Sequence, residues 1–135
     1  MKDLVRLSKI ISHAGICSRR DAEKLIKKGE VKVNGEILKE FIIAQDKIKE
    51  ISIKNVKLKK KKTKIWCFYK PKGFVCSNVE QYNQKSLFKL LPKNFERVVS
   101  VGRLDIPSEG LLLLTNNPTL STFLENPKNR ITRKY

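Results

Sequence analysis

Apolar positions in the first 53 residues alternate between two periods. Leu7, Ile10, Ile11 and Ala14 keep the i, i+3, i+4, i+7 spacing of an amphipathic helix, and Gly15 is placed to end it. Ser18-Arg19-Arg20-Asp21 reads as a capping box. The helix it opens buries Ala22, Leu25 and Ile26 and stops at Gly29, leaving Arg19, Arg20, Lys24, Lys27 and Lys28 on its wet side or at its ends. Val31 and Val33 then alternate with polar residues, Asn34-Gly35 is a preferred pair for a tight hairpin turn, and Ile37 follows. Ile48, Ile51 and Ile53 are candidates for a further strand, but the apolar Phe41-Ile42-Ile43 leaves the register between residues 39 and 56 open.

The second half reads differently. Ile65-Trp66-Cys67-Phe68-Tyr69 has strand composition, Lys70-Pro71-Lys72-Gly73 breaks it, and Phe74-Val75-Cys76-Ser77 resumes. Ser86 is placed to cap a short helix through Leu87, Phe88, Leu90 and Leu91, ended at Pro92. Val98 to Val101 and Leu111 to Leu114 have the length and apolarity of buried strands, the leucines on both faces. Asn117-Pro118 opens a helix through Leu120, Phe123 and Leu124 that Asn126-Pro127 stops. Ile131 to Tyr135 reads as the start of another strand.

Between the two buried strands lies a loop punctuated by Pro107 and Gly110, with Arg103 and Asp105 two residues apart. Asp105 is one of four aspartates in a strongly basic chain, so its carboxyl is expected to stay ionised. An ionised carboxylate on such a loop is a candidate nucleophile. The other reading of the same spacing is a turn whose Asp accepts nearby backbone amides.

Charge sharpens the division into halves. Thirty Lys plus Arg against 13 Asp plus Glu give a net charge of +17 over 135 residues, a field that favours nucleic acid or another anionic surface. Residues 1–64 carry 19 basic and 8 acidic side chains, net +11, and residues 65–135 carry 11 and 5, net +6. The run Lys57, Lys59, Lys60, Lys61, Lys62 and Lys64 reads as a solvated linker, either a repelling spacer or a track for a phosphate backbone. Three cysteines without a CxxC pair imply neither a disulfide framework nor a zinc site. With no apolar run of transmembrane length, the expectation is a soluble protein of a reducing cytoplasm, with no membrane partner.

Gly102-Arg103-Leu104-Asp105 followed by Ser108-Glu109-Gly110-Leu111-Leu112-Leu113-Leu114-Thr115-Asn116 resembles the catalytic motif of RNA pseudouridine synthases, in the branch that modifies ribosomal RNA and carries an S4 domain. The Tyr69-Lys70-Pro71-Lys72-Gly73-Phe74-Val75-Cys76-Ser77 segment is similar to that family's first catalytic-domain motif, and the two short helices followed by Val33-Asn34-Gly35 resemble the S4 RNA-binding domain. The fold class implied is α+β: a small S4-like domain over residues 1–58, a lysine-rich linker at 59–64, and, over 65–135, the N-terminal part of a mixed, mainly antiparallel catalytic domain. The resemblance implies Asp105 as catalytic nucleophile, with Arg103 and Tyr135 serving the extruded uridine. It implies RNA contact by Arg19, Arg20, Lys24, Lys27, Lys28, Lys70 and Lys72, and needs no metal and no cofactor. Ribosomal RNA is the expected partner, the large-subunit type B enzyme the nearest likeness and the small-subunit type A enzyme the next. Because the family's catalytic domain continues past the motifs present here, the chain is expected to be a C-terminally truncated enzyme whose open sheet aggregates, dimerises through its edge or needs a second chain to complete it. The competing readings are a catalytically inactive RNA-binding fragment and a basic structural protein of the ribosome.

Overall fold

The computed structural model describes all residues except Met1 and Gln81. The chain forms two compact units, Met1–Lys62 and Thr63–Tyr135.

The first unit runs β1 (Leu4–Arg6), α1 (Leu7–His13), α2 (Arg19–Lys27), β2 (Val31–Val33), β3 (Glu36–Ile37), β4 (Ile42–Ala44), β5 (Ile51–Ile53) and β6 (Val56–Lys57). Ser18 caps α2 as expected: its Oγ accepts the Asp21 N–H at 3.1 Å and donates to Asp21 Oδ2 at 2.8 Å. The four-stranded antiparallel sheet has the order β3-β2-β5-β6. Asn34 and Gly35 both have positive φ, 53° and 86°, which is the geometry of the hairpin turn that this pair favours. Asn34 does more than turn the chain. Its Oδ1 accepts the amides of Lys49 and Glu50 while its Nδ2 donates to Lys47 O, tying the hairpin to the segment that enters β5.

The register left open between residues 39 and 56 resolves into two sheets. Ile42, Ile43 and Ala44 pair with Arg6, Val5 and Leu4, a two-stranded ladder outside the main sheet, and of the apolar Phe41-Ile42-Ile43 run Phe41 and Ile43 pack against the core while Ile42 is half exposed. Lys57, read as linker, lies in β6 at the end of a second tight turn, where Lys54 and Asn55 have φ of 49° and 64°. Leu7, Ile11, Ala22, Ile26, Val31, Val33, Ile51 and Ile53 form the core between the helices and the sheet.

The second unit runs β7 (Ile65–Lys70), β8 (Phe74–Val75), β9 (Lys85–Ser86), β10 (Val99–Ser100), β11 (Gly110–Thr115) and α3 (Pro118–Glu125). β11 lies between β10 and β7, antiparallel to both, in a register that runs from Gly110 opposite Lys70 to Thr115 opposite Ile65. β8 and β9 form a short parallel pair. Leu87, Val98, Leu112 and Leu114 are the buried centre, with Trp66, Phe68, Phe95 and Leu104 packed against them. Asn117 caps α3 by accepting the amides of Thr119 and Leu120, and Pro118 occupies its first turn.

Three expectations change. The leucine run is buried on one face only, because the strand alternates: Leu112 and Leu114 are inside, while Leu111 is 67% exposed opposite the equally open Tyr69. Ser86 caps a single 3-10 turn, Leu87–Leu90, because Pro92 leaves no room for an α-helix. Residues 131–135 are exposed and form no strand. Among the described residues no helix is long and apolar enough to cross a membrane, and no cluster of side chains has the makeup of a metal site.

Candidate active site and cationic helix face

The loop from Gly102 to Gly110 is fixed to its surroundings along its whole length. At its start Val101 donates to Leu113 O at 2.8 Å, and the Gly102 amide donates to Glu125 Oε1 at 2.9 Å. Glu125 belongs to α3, and Ser121, one turn earlier, donates to the same oxygen at 2.6 Å. Cys76 Sγ lies 3.4 Å from both the N and the O of Leu104, one residue before Asp105. Gly73 donates its amide to Ile106 O at 2.7 Å.

Lys70 supplies the strongest of these anchors. It is fully buried, and its Nζ donates to Asp105 O at 3.0 Å, Ser108 O at 2.8 Å and Pro71 O at 3.1 Å. Ile106 O lies within reach as well, at 3.5 Å, so the three protons of the ammonium are fully used by backbone carbonyls. This corrects the expectation that Lys70 contacts RNA: it is consumed inside the protein, because the last residue of β7 alternates to the inner face where the loop's carbonyls need donors.

The immobilised backbone leaves two side chains free. Arg103 and Asp105 are exposed, and neither the guanidinium nor the carboxylate makes a hydrogen bond or ion pair among the described residues. The alternative reading, in which the Asp105 carboxylate caps nearby amides, is therefore not the arrangement found. In the turn after it only backbone groups bond, Ser108 N to Asp105 O at 2.9 Å. Two clefts meet at this loop. One, of about 900 Å³, is lined by Cys76, Ser77, Gly102, Arg103, Asp105 and Arg133 among others. The other, of about 460 Å³, is lined by Lys72, Arg103, Asp105, Ser108, Glu109 and Tyr135 among others. Asp105 and Arg103 thus stand at the border of both, with Tyr135 on one side only. Lys72 is exposed and lies 4.0 Å from Glu109.

Sequence reading missed Glu125, Ser121, Cys76 and Arg133. Glu125 meets Gly102 and Ser121 meets Ser100 across 23 and 21 residues of chain, pairings no local pattern encodes. Cys76 stands inside a quoted motif, and its part in the loop becomes visible only when Leu104 is placed beside it.

In the first unit, Arg19, Arg20, Lys24, Lys27 and Lys28 are all exposed along α2 and its end. Lys24 pairs with Asp21 at 3.2 Å, and Lys27 Nζ lies 5.8 Å from the centre of the Phe41 ring. Arg19, Arg20 and Lys28 make no ion pair among the described residues, so their charge faces solvent.

The comparisons agree with this anatomy. Residues 64–135 match the RNA pseudouridylate synthase family, and residues 5–40 match the S4 domain. The chain belongs to the RNA pseudouridylate synthase family and carries an S4 domain ahead of the family region. Over 131 residues it is 44% identical to an uncharacterized RNA pseudouridine synthase of Rickettsia felis, covering 96% of this chain and 57% of that protein. It is 37% identical over 133 residues to the ribosomal large subunit pseudouridine synthase B of Bacillus subtilis, covering 96% and 53%. A crystal structure of a pseudouridylate synthase superposes with a TM-score of 0.50 at 31% identity, over 93% of this chain and 54% of that one. The chain spans about half the length of the relatives it matches.

Proposed function

We propose that this chain takes part in isomerising a specific uridine of ribosomal RNA to pseudouridine, with Asp105 as the nucleophile. The observation that carries the reading is a carboxylate without partners on a loop whose backbone is held at Gly102, Leu104, Asp105, Ile106 and Ser108. The reaction breaks the bond from uracil N1 to ribose C1′, turns the base, forms a bond from C5 to C1′ and moves the C5 proton. It is an isomerisation and needs neither cofactor nor energy source. Carboxylates are the side chains that attack or stabilise a glycosidic carbon, and a fixed backbone keeps the attacking oxygen in place without reorganisation.

A uridine inside structured RNA reaches such a site only by leaving its stack. The exposed ring of Tyr135 suits stacking on the extruded base, and the Arg103 guanidinium suits the vacated space or a phosphate. Arg19, Arg20, Lys24, Lys27, Lys28 and Lys72 hold the surrounding RNA in this reading, mainly by phosphate contact. The relative from Bacillus subtilis favours RNA of the large subunit, and ribosomal RNA as substrate implies the cytoplasm. The open sheet face around Leu111, Tyr69 and Ile65 favours a second polypeptide that covers it.

Tritium release from ribosomal RNA labelled at uridine C5 tests the central claim in a protein that carries the whole catalytic unit. Asp105→Asn should lower turnover by about a thousandfold and leave RNA affinity within about twofold, since shape survives and the attacking charge does not. Turnover within about tenfold of the parent would remove Asp105 from the role.

A further inference from the structure

Gly102, at the start of the catalytic loop, has Arg133 lying against it. A β-carbon built on Gly102 would come within 2.8 Å of Arg133 Nη1, 3.3 Å of Cζ and 3.6 Å of Nη2. The guanidinium is thus laid against the bare α-carbon, and the backbone there has φ of +76°, which favours glycine independently. The cradle is held from its other side by Glu125, which accepts the Gly102 amide. Arg133 lines the same cleft as Arg103 and Asp105. Like Arg103, it makes no hydrogen bond and no ion pair among the described residues.

Two guanidinium groups line one polar cleft with two carboxylates, and neither guanidinium bonds to either of them, so both sets of N–H donors stay open to an anion. Of the two carboxylates in the cleft, Glu125 already accepts two hydrogen bonds through Oε1, and Asp105 is committed by the proposed function to the ribose. A planar fork of N–H donors matches the oxygens of a phosphate, bidentate where both edges reach. We infer that Arg133, seated on Gly102, and Arg103 form a phosphate-binding site that grips the backbone of the nucleotide presented to Asp105. The inference rests on reading the cleft as the place where a uridine in RNA is handled, and adds what anchors that uridine's backbone. An anchor there opposes the return of an extruded nucleotide to its stack, since the phosphate is fixed while the base turns.

The experiment is a site-resolved magnetic-resonance titration of the 135-residue chain, following the Gly102 amide and the Arg103 and Arg133 Nε–H signals. Uridine 3′,5′-bisphosphate and unphosphorylated uridine are the probes. The bisphosphate should move all three signals along one saturation curve, with uridine at least about tenfold weaker at Gly102. Arg133→Ala should weaken the bisphosphate by about tenfold at that reporter, the loss of one charge-assisted pair of hydrogen bonds. Arg133→Lys, which keeps the charge and loses the fork, should fall between. An unchanged constant in Arg133→Ala, or equal response to uridine and bisphosphate, overturns the phosphate site. The wider reading fails by a different signature: if neither probe moves the signals of Asp105 or Tyr135, the cleft does not handle uridine at all, and the phosphate site loses its role with it.

Discussion

The two units use buried polar groups in opposite ways. In the first, the interior between helices and sheet is apolar, with eight aliphatic side chains of α1, α2, β2 and β5 in one cluster, and the cations stay outside on α2. In the second, the fully buried aliphatic centre is smaller, and the largest wholly buried side chain is that of Lys70. The first interior is organised to be stable and to present a charged surface. The second is organised to hold one loop still. Burying an ammonium is costly unless every proton finds an acceptor, and Lys70 meets that condition only with the loop in its present conformation. Loop geometry and the stability of the second unit are therefore one quantity, and the difference between the units is open to direct attack.

The largest effect should come from Lys70→Met. It keeps the length of the side chain and removes the ammonium donor from the carbonyls of Pro71, Asp105 and Ser108, of which Asp105 O keeps the Ser108 amide, and this should cost the second unit about 3 kcal/mol. Hydrogen exchange would show it as lost protection at Gly73, Val101 and Ser108, whose amides bond to or within the loop region. Retained protection there would mean that Lys70 is a bystander.

On the first unit, Arg19→Ala combined with Arg20→Ala should leave stability within about 0.5 kcal/mol, because both side chains are exposed. Affinity for ribosomal RNA should fall, and the slope of log affinity against log salt should flatten by about 1.4 to 1.8 for two lost phosphate contacts. An unchanged slope would take the α2 face out of the RNA interface.

Leu111→Lys probes the open face of the second unit. At 67% exposure the leucine adds little to folding, so stability should change by under about 0.5 kcal/mol. Its effect should appear in association: sedimentation of the purified chain should show self-association that the added charge weakens by about tenfold. A parent that stays monomeric at high concentration would show that this face needs no cover.

The smallest effect concerns His13, at the end of α1. Partial burial, then the positive charges of Arg19 and Lys9, hold its imidazole below the ordinary 6.5. As pH falls through 6.5 the unfolded chain takes up the proton first, so the first unit should lose stability between pH 7.5 and 5.5. His13→Gln should flatten that part of the profile in thermal melts. A profile as steep as the parent's would place the loss on carboxylates.

Much of the architecture is local in origin and was legible in the chain. The Ser18 and Asn117 caps, the stops at Gly29 and Asn126, and the Asn34-Gly35 turn each depend on the backbone preferences of a few adjacent residues. The loop with Arg103 and Asp105 was marked in the same way, by Pro107, Gly110 and the apolar strands on either side. What neighbours cannot encode was decided by the tertiary structure. The pairing of β1 with β4 gave Phe41-Ile42-Ile43 its meaning, since strand partners about 38 residues apart leave no trace in a local window. The leucine run looked doubly buried because four identical residues hide the period of two that decides which face is inside. Lys70 looked like one more surface cation, and only the carbonyls of Asp105 and Ser108, brought to it across 35 and 38 residues, turn it into an internal strut. Arg133 came to rest on Gly102 for the same reason: chemistry at a point needs groups from distant parts of the chain, and sequence spacing measures only distance along it.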